Sequence, residues 1–353
     1  MKRDARSVKK ILENGPIEVS APCRIDAGGT WDIKAMALPM AAIKPVTLNF
    51  SLNLRTRVTL TPYREGRVCM TSAGFSGKEE HAFENLPFNS VFGLYYAAIA
   101  YFGFHGLSVE IRSDSPVKAA LGGSSTALIA LIKALAGLSE MMGGRKLGAR
   151  EILHLGYHLE DGVSGGNCGM QDQAAAVYGG VNLWTWQYDK PGLPLRRESL
   201  LDRRGRRELS KRLVVAGSGT SHVSIRINRH WVEDFMAGKT RTGWMEANAI
   251  VKALAKSIEA KNWREAAGLL GQEMGIRRRI TPEALIPITA ELIQQAEEMG
   301  CGARFAGAGA GGTVWALGEL ERIERLKNIW AEKLKPVRGG HVLNCHIDSR
   351  GVR

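Results

Sequence analysis

The chain has 353 residues, 44% of them apolar and 24% charged, and a formal net charge of +13. That suits two globular domains or one large one, and it excludes a disordered chain and an acidic, calcium-buffering protein. The cationic excess favours anionic partners (phosphorylated small molecules, nucleic acid or a membrane surface), among which composition does not choose.

Residues 1–14 are basic and polar, without an apolar stretch of signal-peptide length. Alternating apolar positions over 47–60 predict a half-buried strand, and 68–71 and 107–112 read as further strands. The longest apolar run, 91–107, is short for a membrane span and is interrupted by Gly93, Gly103, His105 and Gly106. It predicts a buried helix over 91–102, capped near Asn89 or Ser90. Helices are expected over 125–142 and 151–160, then a strand over 177–186. Residues 196–212 hold eight basic and three acidic side chains after Pro191, Gly192 and Pro194. This stretch reads as a domain junction or a long exposed hairpin.

The second half opens with a strand at 213–216, followed by helices over 228–236, 242–260, 263–275 and 282–299. In the last of these, Leu285, Ile288, Leu292, Ala296 and Met299 share one face, and Gly300 stands just past the end. Strands at 304–306, 312–317 and 341–347 finish the chain, with a helix at 320–333. The mixture lacks a regular strand–helix alternation, so the expected class is α+β with two domains. Five scattered cysteines without a CxxC pair argue against a disulfide framework or a zinc knuckle and for a reducing cytoplasm.

Three glycine-rich segments carry the chemical signal. In Ala21-Pro-Cys-Arg-Ile-Asp-Ala-Gly-Gly-Thr-Trp-Asp32, an extended stretch runs into two glycines, which serve either a tight turn or the close approach of a ligand. In Ser115-Pro-Val-Lys-Ala-Ala-Leu-Gly-Gly-Ser-Ser-Thr126, a glycine turn opens a long apolar helix. It reads as a phosphate cradle or as the N-cap of a buried helix. No Gly-Lys-Ser/Thr follows, so this is not a Walker P-loop. In Gly302-Ala-Arg-Phe-Ala-Gly-Ala-Gly-Ala-Gly-Gly312, four glycines fall in six residues between two expected strands, as in a loop pressed against a ligand or another loop. Between the second and third segments stand Glu160 and Asp172. Two such acids can divide phosphoryl transfer, one holding Mg²⁺ and the other orienting the attacking hydroxyl or taking its proton; the adjacent Asp161 is an alternative ligand, and acids on a solvated helix face are the other reading.

Together and in this order, these features resemble the GHMP kinase superfamily of ATP-dependent small-molecule kinases, which includes galactokinase, homoserine kinase and mevalonate kinase. The family's three motifs are similar to residues 22–32, 116–126 and 307–312. Gly165-Gly-Asn-Cys-Gly-Met-Gln-Asp-Gln173 with Tyr178-Gly-Gly-Val-Asn182, Gly217-Ser-Gly-Thr-Ser-His222 and the strand at 341–348 resemble the branch that phosphorylates sugars at the anomeric hydroxyl. The Glu-His pair of galactokinase is absent from Gly29-Thr-Trp-Asp32.

The resemblance implies a two-domain GHMP kinase fold. Residues 1–195 would form a ribosomal-protein-S5-like domain, 196–212 a basic connection and 213–353 a ferredoxin-like domain. It implies ATP and Mg²⁺ as cofactors and a sugar or sugar phosphate (heptose 7-phosphate, fucose or galactose class) as substrate, with neither nucleic acid nor membrane as partner; a homodimer is left open. Asp172 would be the base or orienting acid, with Arg24 beside the transferred phosphoryl. Pro116, Gly122, Gly123, Ser124, Ser125 and Thr126 would hold the nucleotide, and Ser125 and Glu160 the Mg²⁺. Gly29, Trp31, Asp32, Gly169, Gln171, His222, Gly307, Gly309 and Gly311 would surround the substrate. The alternatives are a kinase for a non-sugar alcohol of the mevalonate or homoserine class, and a non-catalytic regulator on the same fold. The presence of Asp172, Glu160 and Arg24 together favours an enzyme.

Overall fold

A computed structural model describes residues 5–74, 77–192, 194–220 and 224–353. In its first half, α1 (Ala5–Glu13), β1 (Ile17–Ala27), α2 (Lys34–Ala37), β2 (Val46–Pro62), β3 (Arg67–Ser72) and β4 (Lys78–Ala82) are followed by α3 (Gly93–Phe102), β5 (Leu107–Ser113), α4 (Gly123–Met141), α5 (Ala149–Val163), α6 (Gln171–Tyr178), β6 (Val181–Trp186), β7 (Leu195–Ser199) and α7 (Arg203–Lys211). The second half contains β8 (Leu213–Ser218), α8 (Ser224–Met236), α9 (Arg241–Glu259), α10 (Trp263–Ile280), α11 (Pro287–Glu298), β9 (Gly302–Phe305), β10 (Thr313–Leu317), α12 (Leu320–Leu334) and β11 (Gly340–Val342).

The first sheet runs β4-β3-β5-β2-β6-β7, with β1 paired antiparallel to β2. The second runs β11-β8-β10-β9, and its elements follow the strand–helix–strand–strand–helix–strand order of a ferredoxin-like unit. The whole is the α+β architecture expected.

The long strand β2 differs from a half-buried strand. Every residue from Val46 to Leu52 is buried. Its apolar side (Leu48, Phe50, Leu52) packs against the second sheet and its helices, with Phe50 and Trp315 rings 5.2 Å apart. The polar alternates face other protein rather than water: Ser51 donates to Ala175 O in α6 (3.2 Å), Asn49 donates to Gln171 Oε1 (3.1 Å), and Thr47 donates to Gly28 O (3.1 Å). The alternation therefore separates core from site rather than core from solvent. Helix α4 is long and apolar enough to cross a membrane, but 72% of that window is buried, and it packs on β1 and β2.

Several elements depart from the sequence reading. Residues 171–178, the last two of which are expected in a strand by sequence, form α6; β6 begins only after Gly179 and Gly180, both with positive φ (+63° and +85°). The helix expected over 282–299 is split into a 3-10 turn, Pro282–Ala284, and α11, because Pro287 lacks the N–H that a continuous helix needs. The basic stretch is a strand paired with β6 and then a helix capped by Asp202, which accepts from Gly205 N. Helices α1 and α2 and strand β4 had no counterpart in the sequence reading.

The strand expected over 341–347 ends at Val342. The chain then returns to the first sheet: Asn53 N donates to His346 O, Asp348 N to Ser51 O, Gly180 N to Asp348 O, and Ser20 and Arg353 exchange both backbone bonds. Arg55 pairs with Asp348 and donates to Arg350 O and Gly351 O. For the domain division we therefore propose that 343–353 be grouped with the first sheet.

The last turn of α6 rests on this tail so closely that a Cβ at Gly351 would lie 1.8 Å from Val177 O. Gly351→Ala is expected to destabilise the protein by about 2–3 kcal/mol in chemical denaturation. A loss under about 0.5 kcal/mol, the usual surface effect, would contradict the tight seat of the tail.

Candidate active site

A cleft of about 510 Å³ opens where the loop before α4, the start of α6, the end of β1 and the glycine loop after β9 converge. Arg24, Asp32, Pro116, Gly122, Gly123, Ser124, Ser125, Glu160, Gly169, Gln171, Asp172 and Gly307 all line it. None of residues 196–212 does.

The loop before α4 is held in unusual backbone geometry. Lys118, Ala120 and Gly122 have φ of +55°, +60° and +74°, values costly for the two non-glycine residues unless the surroundings enforce them. Among the described residues no side chain caps α4, so its first amides and the positive end of its dipole could receive an anion in the cleft. Thr126 instead donates to Gly122 O (2.8 Å) and is buried within the helix start.

Arg24 projects from β1 into this arrangement. Its Nε donates to Asp172 Oδ1 at 2.7 Å and its Nη1 to Ala120 O at 2.6 Å, while its backbone N donates to Leu121 O. Burial works against its charge, but Asp172 and Asp26 outweigh that and raise its pKa further. Asp172 sits in the first turn of α6, and a Cβ at Gly122 would lie 3.0 Å from its carboxylate.

The residues flanking Asp172 hold two more acids. Gln171 N donates to Asp32 Oδ2 (3.0 Å) and its Nε2 to Oδ1 (3.4 Å); Thr30 N also donates to Oδ1 (3.1 Å). Gln173 Nε2 donates to Glu160 Oε2 (2.6 Å), and Ser125 Oγ donates to Glu160 Oε1 (2.9 Å). Burial pushes Asp32 and Glu160 each up to about 7. Asp161 lies apart, 3.8 Å from Lys34, and does not line the cleft. Among the described residues no group of three or more His, Cys, Asp or Glu gathers as a metal cage. Ser125 and Glu160 are hard oxygen donors beside the uncapped helix. They fit a Mg²⁺ ion that takes its other ligands from phosphate and water.

The glycine loop after β9 closes the site from the second sheet. Gly307 N donates to Asp26 Oδ1 (2.8 Å), and Cβ atoms at Gly307 and Gly312 would lie 3.0 Å from Ala120 O and 2.8 Å from Ala119 O. Gly309 and Gly311 face Ala284 and Thr220 instead, so this loop is pressed chiefly against other loops. Gly29 and Gly169 leave room for carboxylates: a Cβ would lie 2.4 Å from Asp26 and 1.8 Å from Asp32 respectively.

Trp31 does not line the cleft. It is buried among Phe235 and Trp244, with its indole N–H on Trp244 O. His222 lies outside the described residues. The sequence reading missed Asp26, Glu273 and Arg304, a fully buried network in which Arg304 bonds both acids. It also missed Gln173 and the left-handed Thr30 (φ +83°). Only the Arg24–Asp26 spacing of two, which puts both on one side of β1, offered a signal.

Comparison with known proteins follows the same lines. Family models described as "GHMP kinases N terminal domain" and "GHMP kinases C terminal" match residues 89–180 and 250–336, together about half of the chain. The D-glycero-alpha-D-manno-heptose 7-phosphate kinase of Campylobacter jejuni is 27% identical over 269 residues, covering 73% of this chain and 75% of that protein. Among solved structures, a D-glycero-D-manno-heptose 1-phosphate kinase from Bacteriodes thetaiotaomicron has a TM-score of 0.64 at 19% identity, covering 95% and 97% of the two chains. Lactococcus lactis galactokinase complexed with galactose has a TM-score of 0.71 at 15% identity, covering 99% of each. Streptococcus pneumoniae phosphomevalonate kinase in complex with phosphomevalonate and AMPPNP has a TM-score of 0.73 at 14% identity, covering 94% and 100%. At these identities the structures share the fold.

The state of Asp32 sets a stability slope. Its carboxyl moves from 3.8 in the unfolded chain to about 7 in the fold, so between those values the folded state holds the extra proton. That stability is present below about pH 4 and is lost as the pH rises through 7. The ligand-free protein should lose on the order of 2–4 kcal/mol from this source between pH 5 and 8; Glu160, raised alike, adds a slope of the same sign, so Asp32→Asn should remove about half of the combined slope in thermal melts across that range. An unchanged slope in the variant would contradict the assignment.

Proposed function

The chain belongs to the GHMP kinase family, and we propose that it transfers the γ-phosphoryl group of ATP to the anomeric C1 hydroxyl of a sugar or sugar phosphate of the heptose 7-phosphate class. It is an ATP-dependent kinase. The observation that supports the reaction best is the Arg24–Asp172 pair, 2.7 Å apart, beside an α4 N-terminus that no side chain caps.

On this reading the nucleotide phosphates lie on the amides of residues 122–125, the Thr126 amide being spent on Gly122 O, and the sugar lies between Asp172 and Asp32. Asp172 accepts a hydrogen bond from the attacking hydroxyl and takes its proton as the new O–P bond forms. The bond from the γ-phosphorus to the β–γ bridging oxygen breaks, and ADP leaves with that electron pair. Arg24 holds Asp172 in line and places positive charge beside the transferred group. Asp32, fixed by the Gln171 and Thr30 amides, is placed to bind a second sugar hydroxyl. Mg²⁺, held by Ser125 and Glu160, would neutralise charge on the phosphates. A cytoplasmic setting suits the five unpaired cysteines.

ADP release with ATP and Mg²⁺ should be fastest with heptose 7-phosphate in a panel that includes fucose, galactose, mevalonate and homoserine. Fastest turnover with mevalonate or homoserine would overturn the sugar assignment, and no ADP release with any acceptor would favour a regulator. Asp172→Asn should lower turnover by about 10²–10⁴-fold with ATP affinity retained, the span expected for a positioned acid–base group; near-normal turnover would overturn the base assignment. Gly122→Val should weaken ATP binding in calorimetry, because its Cβ would crowd Asp172 at a left-handed position. Unchanged affinity would show that the loop does not hold phosphate.

A further inference from the structure

Gln173 is a buried residue with an oddly divided amide. Its Nε2 donates to Glu160 Oε2 at 2.6 Å, with Cys168 Sγ a weaker neighbour at 3.4 Å, yet its Oε1 is buried without a hydrogen-bond partner among the described residues. Leaving half of a buried amide unsatisfied works against folding, and an apolar side chain of the same length would avoid it. What such a side chain could not supply is the donor to Glu160.

The two oxygens of Glu160 have separate partners. Oε1 receives the Ser125 hydroxyl at 2.9 Å, and Oε2 receives Gln173. Ser125 and Glu160 both line the cleft; Gln173 does not. A cation between Ser125 and Glu160 competes with the bond they make to each other. The Gln173 bond approaches the other oxygen from behind the cleft, so it persists and fixes the carboxylate plane. Partners behind a ligand commonly set its orientation and affinity in this way.

We propose that Gln173 is a positioning residue for the divalent cation, acting only through Glu160; this rests on the reading of Glu160 as a metal ligand. The cycle Gln173→Met, Glu160→Gln and the double variant tests it. The readout is Mn²⁺ affinity by electron paramagnetic resonance, with AMPPNP saturating so that no turnover is needed. Gln173→Met should weaken Mn²⁺ binding by about tenfold without lowering the thermal midpoint, whereas a merely structural role lowers the midpoint and leaves the affinity alone. In the Glu160→Gln background the same change should alter affinity by less than about twofold. Equal weakening in both backgrounds, or none in either, overturns the proposal. If Glu160→Gln alone leaves Mn²⁺ affinity unchanged, the metal-ligand reading fails instead. Should Gln173→Met not fold, Gln173→Asn, whose amide stops one methylene short, is expected to show the same weakening in the same comparison.

Discussion

Arg24 is the junction through which the site is assembled. It is buried, yet it carries a full charge, and three separate segments answer it: Asp172 at the start of α6, the carbonyl of Ala120 in the loop before α4, and Asp26 on its own strand, 3.7 Å away. Asp26 passes the connection on, accepting from Gly307 N and from Arg304, which also holds Glu273 of α10. A continuous line of ion pairs and charge-assisted hydrogen bonds thus runs from α6 through β1 to the second sheet. Removing one partner from such a buried pair typically costs about 3–5 kcal/mol, because the other charge is left in a medium that solvates it poorly.

That line explains where the backbone is strained. Six described non-glycine residues have positive φ, and four of them (Thr30, Lys118, Ala120 and Ala310) stand in the three glycine-rich segments. Each such residue is unfavourable alone and persists because packing over-determines it. Here the glycine loop after β9 presses on Ala119 and Ala120, and Arg24 pins Ala120 from the other side. On the proposed reading the gain is a phosphate cradle already shaped before any ligand arrives, so little reorganisation is left for the reaction itself.

Much of this was legible in the sequence for a physical reason. Glycine clusters and an acid after a glycine loop are local signals, and they marked the three segments, Glu160 and Asp172. The long-range terms were not legible. Nothing in the sequence says that Arg304 will meet Asp26, or that Thr47, Asn49 and Ser51 will face α6 and the site rather than water. Helix α6 was obscured because Val177 and Tyr178 continue, in sequence, into the strand-like run after Gly179 and Gly180. Trp31 follows Gly28-Gly29-Thr30 and precedes an acid, as a ligand-binding aromatic would, yet the neighbouring Trp244 and Phe235 draw it into the core.

The central claim is that Arg24 joins the base to the phosphate loop. The turnover of Arg24→Met, measured by ADP release with the acceptor that the wild-type protein uses fastest, tests it most directly. With the fold retained by circular dichroism, turnover should fall by about 10³-fold or more, as when a preorganised charge is removed from a transition state. Turnover within about tenfold of wild type would contradict the account.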